Sequence, residues 1–415
     1  MIRRLFIVLV FLLCILDVSA QITITDYVVD VVEYSHLVKN AAAMADGAEA
    51  EMKRVRKDYL PALSVSSDAS YTFRNRDEND QLDWVMRADV HQPIFDGGRV
   101  HAEATRTEYL WNKSQSLVQQ SLLDERYNAE VAYWSLSRAE IYCNTMNHYL
   151  DIVEQLREVV AHRFNEGYTS KSDLLQVDSR LSDVQYQLSQ AEQRRLVALH
   201  NFNVMRGADP ELSVVLVDSI NDTLSMPTRV AISDVVATHP SYVAAVSERE
   251  AARYGVKVRR ASYLPSVNVG LFGVWQPKGI TTSGTGTYID GGVVISLSAP
   301  IFHFMERRDA MSVARSEHRR AELAVDDIKD NIALDESNGW ANLVATRQRV
   351  DAARRNLEIA HQNLEISTYS YQEGVVTILE VLQAQLSWLQ IYQNAISAQY
   401  DYAIAIAAYR YIIAY

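Results

Sequence analysis

Two rhythms of apolar and polar residues run along the chain, and they predict different elements. Leu63, Val65, Ser67, Ala69, Tyr71 and Phe73 alternate with Ser64, Ser66, Asp68, Ser70 and Thr72, a period of two that predicts a strand with one apolar face. A return strand sets Trp84, Met86, Ala88 and Val90 against Val85, Arg87, Asp89 and His91. The rhythm comes back at Val267, Val269, Leu271, Gly273 and Trp275, and again at Ile289, Gly291, Val293, Ile295 and Leu297. Strands are therefore expected over 62–73, 83–92, 266–275 and 288–298. Each is about as long as a tilted strand that crosses a bilayer, although soluble hairpins packed on a core would alternate in the same way. The segments between them, 74–83 and 277–287, are polar and read as exposed loops.

The second rhythm is helical. Leu379, Leu382, Leu386, Leu389, Gln393, Ile396, Tyr400, Ala403 and Ala407 step by threes and fours. So do Val381, Ala384, Trp388, Ile391, Ala395, Ala398, Tyr402, Ala405, Tyr409 and Ile412 on another side of the same helix. Two seams imply two helical neighbours. Between them runs a stripe polar at every step, Glu380, Gln383, Ser387, Gln390, Asn394, Ser397 and Asp401, and the earlier helix carries Asp173, Gln176, Arg180, Asp183, Gln187, Gln190 and Arg194 in its place. Such a helix suits a curved wall facing water, or else a bundle with a solvated back. The helices before these, 99–166 and 307–373, contain no proline, and at 1.5 Å per residue each would reach roughly 100 Å.

Breaks in the helical pattern expose a duplication. Gly374 is placed to stop one helix in a left-handed conformation, and Thr377 with Glu380 forms a capping box that starts the next. Two hundred and seven residues earlier, Gly167 stops a helix and Ser170 with Asp173 restarts one. Asp30-Val31-Val32 returns as Asp234-Val235-Val236 and Tyr59-Leu60-Pro61 as Tyr263-Leu264-Pro265, both 204 residues on, while Pro93-Ile94-Phe95 returns as Pro300-Ile301-Phe302 after 207. A unit of this size exceeds any solenoid repeat and implies two pseudo-equivalent halves. We divide the chain into a first repeat, 21–206, a connector, 207–229, and a second repeat, 230–415. Each repeat opens with a helix, 27–59 or 233–263, that ends before a Leu-Pro pair.

Residues 1–20 read as a signal peptide, with Arg3 and Arg4 before the apolar run and Val18-Ser19-Ala20 as the cleavage segment. The mature chain keeps one cysteine, Cys143, and so has no internal disulfide. A net charge of −12 argues against nucleic acid. Beyond the leader no apolar run is long enough for a spanning helix, so entry into a membrane would be by strands. The ten histidines lack zinc-binding spacing and Gly284 and Gly286 begin no dinucleotide fingerprint, so no metal, cofactor or enzymatic activity is expected. Asp326, Asp327, Asp330, Asp335 and Glu336 read as the solvated face of a long helix, and Trp134 and Trp340 as packing anchors.

A bilayer offers no hydrogen-bond partners to an open sheet, so four spanning strands would need other chains to close a barrel. The duplication, the hairpins before Pro93 and Pro300, and the tip motifs E-G-Y-T-S-K-S-D-L-L-Q and E-G-V-V-T-I-L-E-V-L-Q-A-Q resemble the TolC family of outer-membrane efflux proteins across essentially the whole mature chain. The resemblance implies a mostly α chain whose long coiled-coil helical hairpins form a periplasmic α-barrel. It also implies a homotrimer, in which four strands per protomer make a 12-stranded outer-membrane β-barrel. The function implied is a passive exit duct of a tripartite efflux or type I secretion system, joined to a periplasmic adaptor and an inner-membrane pump. Hairpin tips at Gly167, Ser170, Gly374 and Thr377 would meet the adaptor, and Glu380, Gln383, Asp173 and Tyr371 would stand at the periplasmic constriction. Gln383 takes the place of a second acid common in the family, and Val376 that of an arginine found in some members. A soluble periplasmic scaffold or adaptor built on helical hairpins is the competing reading.

Overall fold

The computed structural model describes residues 21–72, 81–222, 224–276, 288–302 and 304–415. The expected signal peptide and most of the two expected loops lie outside the described residues. In chain order the elements are β1 (Gln21–Ile22), α1 (Ile24–Tyr34), α2 (His36–Arg56), β2 (Ala62–Thr72), β3 (Gln81–Phe95), α3 (Arg99–Asn165), α4 (Lys171–Met205), β4 (Val215–Leu216), α5 (Ile232–Thr238), α6 (Pro240–Ala261), β5 (Ser266–Gln276), β6 (Tyr288–Ser298), α7 (Glu306–Gln372) and α8 (Ile378–Ile412). They fall into two compact units. One takes the chain up to Asn40, Gln119–His239 and Asn331–Tyr415; the other takes Ala41–Val118 and Pro240–Asp330.

The second of these units carries a four-stranded antiparallel sheet in the order β2-β3-β5-β6. Its register turns the period-two pattern into faces. Leu63 stands opposite Val90, Val90 opposite Leu271 and Leu271 opposite Val293, an apolar row across all four strands. Two residues along each strand, Val65, Ala88, Gly273 and Gly291 make the next row of that face. The intervening row, Ser64, Asp89, Phe272 and Gly292, belongs to the other face, as does the row of Ser66, Arg87, Val274 and Asp290 beyond, and there the Arg87 Nε is 2.9 Å from Asp89 Oδ1. Leu63, Val293 and Ile295 are 72%, 66% and 74% exposed. β3 begins at Gln81 and runs on to Phe95, past the expected end at 92. Proline has no N–H to give the ladder, so Pro93 is accommodated in this inner strand by a register shift between Pro93 and Phe95.

In the other unit most of the two seams of α8 is buried, with Ile391, Gln393, Ala398, Tyr400 and Ile412 half-buried and Leu379 and Leu386 exposed. One neighbour is α3: Gln393 Nε2 donates to the Tyr142 hydroxyl at 2.9 Å, and the Arg138 guanidinium lies 4.0 Å from the Tyr400 ring centroid. The other is α7, whose Leu343 and Val350 pack with Tyr402, Ala405 and Tyr409. Every member of the α8 polar stripe, from Glu380 to Asp401, is exposed. On α4 the matching stripe is partly covered at Asp173, Arg180, Gln187 and Gln190.

Two expectations need correction, and the connector carries structure of its own. The opening helices are each broken in two. Ser35 interrupts the first with extended ψ, and its Oγ accepts from the backbone N–H of Leu37 and Val38, so it caps α2. His239 interrupts the second because Pro240 starts α6 and disfavours helix in the residue before it. The connector is more than a link, since its β4 pairs in parallel with β1 and is pinned there by Tyr133, whose hydroxyl donates to Ile22 O and accepts from Asp218 N, both at 3.0 Å. Glu336 is fully buried, not solvated. Arg229 of the connector reaches both of its carboxylate oxygens at 3.0 Å, and the Tyr409 hydroxyl donates to it at 3.2 Å.

Candidate functional site

The two hairpin tips are built alike. Gly167 and Gly374 have φ of 80° and 77°, and nothing crowds the space a Cβ would take at either, so the left-handed backbone alone calls for glycine. In each tip the residue after glycine donates back five positions, Tyr168 N to Arg163 O and Val375 N to Ser370 O, both 2.8 Å. The glycine donates back three, to Phe164 O and Tyr371 O at 3.0 Å, which completes a Schellman turn. Ser170 and Thr377 then take nearly identical N-cap dihedrals, φ −85° ψ 157° and φ −86° ψ 159°. Tyr168 and Val375 crown the turns, each more than three-quarters exposed.

The expected constriction residues occupy three different settings. Asp173 accepts the Thr169 hydroxyl at 2.6 Å and the Ser170 N–H at 3.2 Å, and the Thr169 bond, helped by Ser170, holds its carboxyl below the usual carboxylate range. Glu380 is exposed and bends back onto the cap: its Oε1 accepts from the Thr377 hydroxyl at 3.2 Å and the Thr377 N–H at 3.4 Å. Gln383 lies one turn further along the same exposed stripe. Tyr371 is buried with Leu156, Val160, Val177, Ile378, Val381 and Leu382. Its hydroxyl has no hydrogen-bond partner among the described residues.

The contact that joins the two hairpins at their tips comes from a residue the sequence reading did not single out. Arg163, in the last turn of α3, donates to Tyr371 O at 2.9 Å and Gln372 O at 2.5 Å, and its guanidinium lies 4.9 Å from the Tyr371 ring centroid. Cations commonly complement helix C-termini, but here the helix is another one, α7. The available signal was an asymmetry, because Ser370 stands where the repeat would put a second arginine.

Comparison with known proteins identifies this arrangement. A family model for outer membrane efflux proteins matches residues 28–208 and 231–413, and the chain belongs to that family. Protein CyaE of Bordetella pertussis is 25% identical over 366 residues, covering 87% of this chain and 77% of its own. Outer membrane protein TolC of Escherichia coli is 21% identical over 383 residues, covering 88% and 77%. Among solved structures the CmeC outer membrane channel of Campylobacter jejuni superposes with a TM-score of 0.84 at 16% identity, covering 94% of this chain and 85% of that one. The chain is an outer-membrane exit duct with a large periplasmic part, in a family whose members are channels rather than enzymes.

Proposed function

We propose that this chain works as a homotrimer, a passive conduit across periplasm and outer membrane for a tripartite efflux or type I secretion system. The observation that carries the reading is the sheet. It has one apolar face and two outer strands, β2 and β6, each with a single partner among the described residues. Unpaired N–H and C=O groups cannot rest in hydrocarbon, so three copies joined edge to edge, with twelve strands, would satisfy them. The two pseudo-repeats, 21–206 and 230–415, would then supply six hairpins to one tunnel. Tips at Gly167, Ser170, Gly374 and Thr377 would meet a periplasmic adaptor coupled to an inner-membrane pump.

At the inner end Glu380 and Gln383 would face the lumen, near Asp173 and Tyr371. Capping and lining are compatible for Glu380, since both cap contacts fall on one oxygen of an exposed carboxylate. The test is made on purified protein. It should run as a trimer in detergent and conduct ions in planar bilayers, with Glu380→Gln weakening cation preference. A water-soluble monomer without conductance would sink the reading, and unchanged selectivity would remove Glu380 from the constriction.

A further inference from the structure

The two repeats carry different electrostatics at one matched place. In the first repeat Arg56, the last residue of α2, is paired with Glu108 on α3 at 2.9 Å. The matching positions, 204 residues on before the strands and 207 after them, hold Arg260 and Arg315. A guanidinium has replaced the carboxylate. Arg260 and Arg315 line a cleft of ≈ 570 Å³ together with Arg307, Arg308, Met305 and Met311. All four arginines are exposed, and none is in an ion pair among the described residues. The nearby Glu306 accepts instead from the Tyr263 hydroxyl at 3.3 Å. Four like charges around one cleft call for a counter-anion, and guanidinium forks fit phosphate oxygens in pairs.

An apolar knob adjoins the cleft. Ile301, Phe302, Phe304 and Met305 are 96%, 71%, 89% and 69% exposed, and the Phe302 and Phe304 rings meet edge to face at 4.9 Å. This segment follows β6, whose Leu297 ends the apolar face of the sheet. Apolar side chains on the strand side and cations on the helix side reproduce the order of a bilayer boundary, acyl chains first and headgroups next.

We propose that this arginine cleft binds the phosphate headgroup of an anionic phospholipid in the leaflet on the helix side of the membrane, with the four-residue knob in the acyl layer. The proposal rests on the duct reading, in which the sheet crosses the outer membrane. The experiment uses the full-length protein in neutral detergent, offered phosphatidylglycerol or phosphatidylcholine, with retained lipid counted by native mass spectrometry.

Wild type should retain roughly tenfold more phosphatidylglycerol, even against excess inorganic phosphate, and the combined Arg307→Gln, Arg308→Gln and Arg315→Gln variant should lose that preference. Equal retention of the two lipids, displacement by inorganic phosphate, or an unchanged preference in the variant would each overturn it. Should the variant fail to assemble, the wild-type lipid and phosphate arms still decide. A conducting trimer without lipid preference defeats this proposal alone. A protein that neither trimerises nor conducts defeats the duct reading, and this proposal with it.

Discussion

Glu336 illustrates what a single residue can hide. Its neighbours in sequence are acidic and polar, and Asp335 beside it is exposed, so periodicity along α7 offered no reason to bury a carboxylate. The reason arrives from two distant segments, Arg229 in the connector and Tyr409 in α8. The Arg229 hydrogen bonds, with the Tyr409 hydroxyl behind them, hold the Glu336 carboxyl below the usual carboxylate range. A depressed carboxylate stabilises the fold above its unfolded pKa, about 4.3, and loses that contribution as pH falls through the folded value. Glu336→Gln should therefore lower stability at neutral pH and flatten the loss of stability below about pH 4.3. Denaturant midpoints measured across that range for both proteins check this, and parallel acid limbs would count against it.

At the scale of elements, the punctuation of the chain was legible wherever it is local. Gly167, Ser170, Gly374 and Thr377 act through backbone geometry that needs no tertiary partner, and the structure places a turn and a cap at each. Pro240 was equally local, yet the amphipathic pattern on both sides of it reads as one helix until the break is seen. Ser35 was harder, because serine is common inside helices and only its bonds to Leu37 N and Val38 N mark it as a cap. The capping box at the first tip has a measurable value. Ser170→Ala removes the Oγ that accepts from Asp173 N at 3.1 Å and should cost about 1 kcal/mol locally. Faster amide exchange confined to the first turn of α4 is the expected signature. Uniform acceleration along the whole helix would contradict it.

For the molecule as a whole, the sheet decides most. Its faces alternate residue by residue, so adjacent positions report opposite environments. Val293, at the centre of β6, shares the apolar row with Leu271, and Val294 shares the other face with Gly270. Val293→Arg should therefore reduce assembly into the outer membrane, by roughly 2–4 kcal/mol if it lies near mid-bilayer. Val294→Arg should assemble and change conductance instead. Outer-membrane yields and single-channel recordings of the two variants separate these outcomes, and equal losses of yield would argue that both faces are packed against protein.

The sequence by itself determined the four long strands, the long helical hairpins and their order. Strand alternation, helical seams, glycine stops and the duplicated spacing are properties of neighbouring residues, and neighbouring residues set backbone conformation. The polar stripe from Glu380 to Asp401 was also readable, because three- and four-residue steps fix which side chains share a helix face. Tertiary structure decided the contacts that cross long stretches of chain. It brought Arg163 to the end of α7, Arg229 to Glu336, and four unpaired arginines to the rim of one cleft. No local pattern announces such meetings, since each depends on how elements far apart in sequence come to pack.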